Sequence, residues 1–223
     1  MKETTSFLRS TIGRKMVMSV TGMLLLMFLI IHLIENILIF ESKQAFNEWA
    51  HFLTGTMAPY IYAAEFGLAA LFVLHIVTAV QLHKVNREAR PHPYEHVGRA
   101  WHTSRKTILS SNMIWTGLFV LIFVCIHLYG LKFGTHYETD THIRDMHRLV
   151  VESYSDPAIV IMYVAFMMLL GLHLVHAIHS AFQTLGIPHR MCCMRVTQGL
   201  ALLLAAGFGL MPILVYFLGD KLS

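Results

Sequence analysis

Apolar positions gather into five long runs, at about 17–40, 59–82, 108–131, 158–182 and 197–218, with polar and charged residues confined to the stretches between them. A helix rises 1.5 Å per residue, so about 20 residues cross a hydrocarbon core of about 30 Å, and each run is long enough. No water inside such a core satisfies an open backbone, so the runs predict helices: an all-α, membrane-spanning bundle of five transmembrane helices. The first run is too long for a cleaved signal peptide, carries His32 and Glu35 late, and lacks a small-residue cleavage site; it is expected to remain as a helix. Ser19, Gly22, Gly117, Gly171 and Ala177 are small enough to let helices approach closely. Pro59 and Pro157 suit first helical turns, whereas Pro212, inside the fifth run, predicts a kink.

Composition narrows the class. Of 223 residues, 56% are hydrophobic and 13% charged, which excludes an ordinary soluble domain. No connection exceeds about 30 residues, so the chain reads as a single transmembrane domain, 1–223, with any chemistry inside the membrane or at its surface. The net charge of +4 alone would admit nucleic acid as a partner, but its distribution gives another cause. Lys and Arg number four before the first run, six between the second and third and two between the fourth and fifth, against five on the opposite side. Cytoplasmic loops hold such an excess, so the N-terminus is expected in the cytoplasm and the C-terminus outside, and no nucleic-acid role remains for the charge. Cys125 is mid-run and Cys192 and Cys193 are adjacent, which leaves no disulfide framework.

The unusual count is 15 histidines, several inside apolar runs. Run 1 reads Thr21-Gly22, nine residues, His32-Leu33, and run 3 reads Thr116-Gly117, nine residues, His127-Leu128. Runs 2 and 4 match around His75 and His173, in Leu74-His75-Ile76-Val77 and Leu172-His173-Leu174-Val175. His32 and His127 fall in the outer half of the membrane and His75 and His173 in the cytoplasmic half, two levels on the order of 15 Å apart.

Ionisable groups inside a membrane are costly and mark function, and bundle cores hold cofactors between facing helices. Two levels with two imidazoles each fit two bis-histidine haems, whose filled axial positions suit electron transfer. Zinc wants four ligands at one level, and a proton relay would not explain the pairing. Thr21 and Thr116 each precede a histidine by eleven residues, close to three turns, so each shares that histidine's face about 16 Å nearer the cytoplasm, at the other level. A Thr-Gly pair there gives a macrocycle room and offers its edge or a ligand imidazole a hydroxyl, or else serves as a small-residue helix contact.

The motifs Leu-Ile-Ile-His32-Leu, Phe-Val-Leu-His75, Ile-Phe-Val-Cys-Ile-His127-Leu-Tyr and His173-Leu-Val-His-Ala-Ile-His-Ser180, with the connection Ala45-Phe-Asn-Glu-Trp-Ala-His-Phe52, resemble the dihaem cytochrome b anchor subunit of succinate:quinone and quinol:fumarate oxidoreductases, in its single-anchor, five-helix type. The resemblance covers nearly the whole chain. It implies two haem b groups, the distal one held by His32 and His127 and the proximal one by His75 and His173. It further implies an FAD-containing flavoprotein and an iron–sulfur subunit on the cytoplasmic side of a bacterial-type inner membrane. Electrons would pass between the iron–sulfur subunit and a quinone, typically menaquinone, near the outer face. The chain itself has no dinucleotide fingerprint and no cluster-binding cysteine motif, so it needs those partners to act on succinate or fumarate. Arg9, Arg14, Lys15 and the stretch Lys84 to Lys106 would dock the iron–sulfur subunit or pair with haem propionates.

Family members that oxidise menaquinol carry a glutamate between the first two helices. Glu48, 27 residues before His75, matches it, with Glu35 and Glu65 as rivals, and a carboxylate suits a quinol that sheds protons with its electrons. The glutamate that some members place two residues before the fourth ligand is replaced by Gly171. His176 is an alternative to His173. His51, His136, His142 and His147, and on the other side His92, His96, His102 and His189, read as solvated or propionate-pairing residues. Two other classes remain open from the residues: a dihaem anchor of a hydrogenase or formate dehydrogenase, and a transporter whose histidines relay protons.

Overall fold

In the computed structural model, described for residue 7 and residues 10–89, 113–187 and 191–222, seven α-helices follow in order: α1 (Thr11–Ile37), α2 (Lys43–Thr54), α3 (Ala58–Glu88), α4 (Met113–His127), α5 (Met146–Ser153), α6 (Pro157–Thr184) and α7 (Met191–Leu222). The expected start of the third run at 108–112, Arg9, residues 90–106 of the basic stretch, and His92, His96, His102 and His189 lie outside the described residues. No strand occurs among the described residues beyond one isolated bridge, Glu138 to Arg144.

Five helices, α1, α3, α4 together with the turn that continues it to Lys132, α6 and α7, are long and apolar enough to cross a membrane. They coincide with the five apolar runs, and several extend past them. Apolarity ends where water begins, but a helix continues until something stops it. Helix α1 starts at Thr11 because the Ser10 side chain accepts a hydrogen bond from Gly13 N at 3.1 Å. Pro157 sits in the first turn of α6, where Asp156 caps the Ala158 N–H at 2.8 Å. Helix α4 ends by widening into a π-turn over Leu128–Lys132, directly after His127. Helix α7 runs through Pro212 without interruption of its helical span.

Helix contacts close a ring in the order α1, α3, α4, α6, with α3 and α4 touching only sparsely; α7 packs outside the ring, mainly along α6. Helices α1 and α4 therefore face each other diagonally, and so do α3 and α6. The core lies between α1, α6 and α7, where Leu26, Leu33, Met167, Leu170, Leu174, Ile178, Ala201, Leu204 and Met211 are buried together. Small residues set the spacing. A Cβ on Gly171 would come within 2.7 Å of Ala205 Cβ, and one on Gly207 within 2.7 Å of Leu33 Cδ2. Gly171 is thus a close-packing position between α6 and α7, with no room for a longer side chain unless the two helices separate.

Two short helices that the apolar runs do not announce, α2 and α5, pack against each other at the end of the bundle opposite Thr11. Ser42 and Asp145 cap them, accepting from Ala45 N at 3.0 Å and Arg148 N at 2.9 Å. Buried Asn47 joins them: its Nδ2 donates to Asp145 Oδ1 at 2.8 Å and its Oδ1 accepts from His147 N at 2.9 Å. Lys43 Nζ lies 3.2 Å from Asp145 Oδ2. Burial alone would raise the Asp145 carboxyl, but the hydrogen bonds from Arg148 N–H and Asn47 and the Lys43 ammonium outweigh it and hold it below its ordinary range. Burial lowers the neighbouring His147 imidazole, against the charge of Asp145.

Candidate functional site

All four histidines singled out by the repeat sit half-buried on helices of the four-membered ring: His32 on α1, His75 on α3, His127 on α4 and His173 on α6. The rings of His32 and His127 have centroids 5.9 Å apart and planes at 88°. His75 and His173 lie within electrostatic reach of each other.

The His75/His173 pair is held by the two Thr-Gly motifs. Thr21 Oγ1 lies 3.1 Å from His75 Nδ1, and Thr116 Oγ1 lies 3.1 Å from His173 Nδ1. Each hydroxyl has a single proton, and a carbonyl one turn back takes it: Val17 O at 2.8 Å or Met18 O at 3.1 Å for Thr21, and Met113 O at 3.0 Å for Thr116. The threonine oxygen is thereby left to accept, so Nδ1 of each imidazole carries the hydrogen and Nε2 keeps its lone pair. That is the neutral tautomer that binds a metal through Nε2. The glycines lie beside the same rings: a Cβ on Gly22 would press on His75 Cε1 at 3.3 Å, whereas one on Gly117 would make an ordinary contact with His173 Cε1 at 3.5 Å. Helix phase along the chain gives the level of each Thr-Gly pair, and the structure adds which group it touches: the imidazole on the adjacent helix.

The His32/His127 pair is built from different parts. Tyr163 Oη lies 3.4 Å from His127 Nδ1. Asn36 Nδ2 lies 3.3 Å from His32 Nδ1 while donating to His32 O at 2.7 Å. Aromatic rings complete the surround: Phe28 stacks on His32 at 5.3 Å, Phe208 lies 5.9 Å from it, and Phe123 lies 5.5 Å from His127. Sequence reasoning missed Tyr163 and Asn36. A signal for Tyr163 does exist, since it precedes His173 by ten residues, nearly the offset at which Thr21 precedes His32.

Two imidazole–metal bonds of about 2 Å each, as in zinc sites, put the coordinating nitrogens about 4 Å apart, and the 5.9 Å between ring centroids is close to the spacing this needs. Two neutral imidazoles per level are the donor set of a haem iron with two histidine ligands, so the residues present fit that group. Among the described residues no three His, Cys, Asp or Glu side chains converge as a closed metal site.

The three carboxylates considered for quinone chemistry are placed apart. Glu48 is exposed on α2 and accepts from Gln44 Nε2 at 2.7 Å. Glu65 is exposed and paired with Lys132. Glu35 is half-buried three residues after His32, within hydrogen-bonding reach of the Trp49 side chain. His176 is half-buried one turn beyond His173. Cys125 is an exposed free thiol.

No protein-family model, curated protein or solved structure matches the chain.

Proposed function

We infer that this chain is the haem b-containing membrane anchor of a succinate:quinone or quinol:fumarate oxidoreductase, moving electrons between an iron–sulfur subunit and menaquinone through two bis-histidine haems. The observation that carries this reading is the presentation of His75 and His173 by matched Thr-Gly motifs, with Nδ1 of each engaged by a threonine and Nε2 left as a ligand.

Each haem, when bound, supplies a one-electron carrier that needs no open coordination site. The protein's part is orientation and insulation. Thr21 and Thr116 lock His75 and His173 in the ligand tautomer; His32 and His127 serve the second haem within an aromatic shell that keeps water away. Levels about 16 Å apart along α1, the rise from Thr21 to His32, divide the membrane crossing into two short steps. By the positive-inside count the Thr11 end is the cytoplasmic one, and by the resemblance the membrane is a bacterial-type inner membrane, so the His75/His173 level would receive electrons from the iron–sulfur subunit and the His32/His127 level would exchange them with quinone. Arg14, Lys15 and Lys84 at that end would meet the iron–sulfur subunit, which carries the FAD flavoprotein.

At the opposite end a quinol releases protons as its electrons leave, and a carboxylate accepts them. Glu48 is the residue assigned by resemblance. Glu35 is the second reading, favoured by its half-buried place beside His32. Pyridine haemochrome analysis of the protein purified from membranes tests the function: two haem b per chain are expected. A haem-free, correctly assembled protein would replace this reading with a proton-relay transporter.

A further inference from the structure

The partners of the His32/His127 pair differ in kind from those of the His75/His173 pair, and one of them is itself held by a second buried residue. Tyr163 is 7% exposed, and its ring is gripped edge-on by Phe123 at 5.2 Å and by Tyr154 at 5.1 Å. Tyr154, 5% exposed, brings its hydroxyl into the neighbourhood of that of Tyr163. The phenol is therefore fixed in direction before it meets His127 Nδ1 at 3.4 Å. Helix α6 thus serves both levels, giving His173 to one and, ten residues earlier and about 15 Å away, Tyr163 to the other.

Resting on the haem reading above, we propose that Tyr163, braced by Tyr154, is the positioning residue for His127 and sets the potential of the His32/His127 haem independently of the other. A ligand imidazole donates its second ring N–H to a neighbouring acceptor, which makes the ring a better donor to iron and favours the oxidised state. Tyr163 is the acceptor for His127, in the role that threonine fills for His75 and His173. Its removal makes the imidazole a poorer donor and raises that haem's midpoint potential.

The test is a redox titration, followed by visible absorption and by the low-spin haem signals in electron paramagnetic resonance, on protein purified from membranes as wild type, Tyr163→Phe, Tyr154→Phe and Thr116→Val. The His75→Ala and His127→Ala variants assign the two components, each leaving a different one. Tyr163→Phe is expected to bind both haems and to shift the reduced-to-oxidised ratio of the His127-linked component about tenfold toward reduced at fixed potential, which is about 59 mV for one electron. Its paramagnetic signal shifts too, while the other component stays in place. Thr116→Val does the reverse, and Tyr154→Phe shifts the same component as Tyr163→Phe by less. If Tyr163→Phe fails to assemble, Tyr154→Phe carries the test. A component unmoved by these variants, or movement only of the component that Thr116→Val moves, overturns the proposal. Absence of haem from the wild type would instead defeat the haem reading itself, and this proposal with it.

Discussion

The two histidine levels solve one problem in two ways. At the His75/His173 level each imidazole is anchored to backbone through a threonine that spends its own proton on a carbonyl a turn away, with a glycine beside each ring and the tighter fit at Gly22. At the His32/His127 level there is no such cradle; a tyrosine and an asparagine contact the rings, inside a cluster of phenylalanines. The first arrangement is short, local and repeated, and the second is assembled from side chains on several helices. A site built on repeated local contacts is stiff and symmetric, whereas one built on packed aromatics depends on the fit of its neighbours.

The largest effects that would break this comparison are those of the ligands. His75→Ala and His127→Ala are each expected to remove one of two haems, read by pyridine haemochrome, and loss of both from one single substitution would show that the levels are not independent. Next come the cradles. Thr21→Val keeps the shape and removes the acceptor, and should weaken haem binding at the His75/His173 level about 10- to 100-fold, read by haem retention on dilution or titration. Gly22→Ala should follow, because its Cβ would press on His75 Cε1 at 3.3 Å, whereas Gly117→Ala meets His173 Cε1 at an ordinary 3.5 Å. Spectral change is expected in the first and little in the second, so equal effects would mean that the glycines are helix contacts alone.

Much of this was legible in the chain. Apolar run length places the five long helices, because a hydrocarbon-spanning helix has to be continuous. The Thr-Gly-x9-His repeat places the threonines on the level of the opposite pair, since eleven residues return nearly to the same face. What stayed hidden depends on long-range contact. Asn47 and Asp145, which join α2 to α5, are 98 residues apart, and neither short helix has an apolar run to announce it. Tyr163, one aromatic in an apolar run, reads as core until the hydroxyl's neighbour is known. The three glutamates likewise look alike in sequence and separate only by burial: Glu48 and Glu65 exposed, Glu35 half-buried.

Smaller effects sharpen the picture at the far end of the bundle. Asp145→Ala would leave the buried Asn47 amide without its acceptor, at a cost of about 1–3 kcal/mol in stability, read as a lower thermal midpoint in detergent. The Asp145 carboxyl sits below its ordinary 3.8 in the folded protein, so its stabilisation is complete above that value and is lost as pH falls below it through the folded pKa. The wild type should therefore lose more stability on acidification below pH 3.8 than Asp145→Ala does. The smallest change is expected from Lys132→Gln, since its partner Glu65 is exposed and such pairs contribute about 0–1 kcal/mol.

The pairing of histidines across the diagonals is tested most directly by haem stoichiometry in double substitutions. His32→Ala with His127→Ala should leave one haem per chain, because both changes fall in one site. His32→Ala with His75→Ala should leave none, because each site then loses a ligand. One haem remaining in the second variant and none in the first would contradict the pairing of α1 with α4 and of α3 with α6.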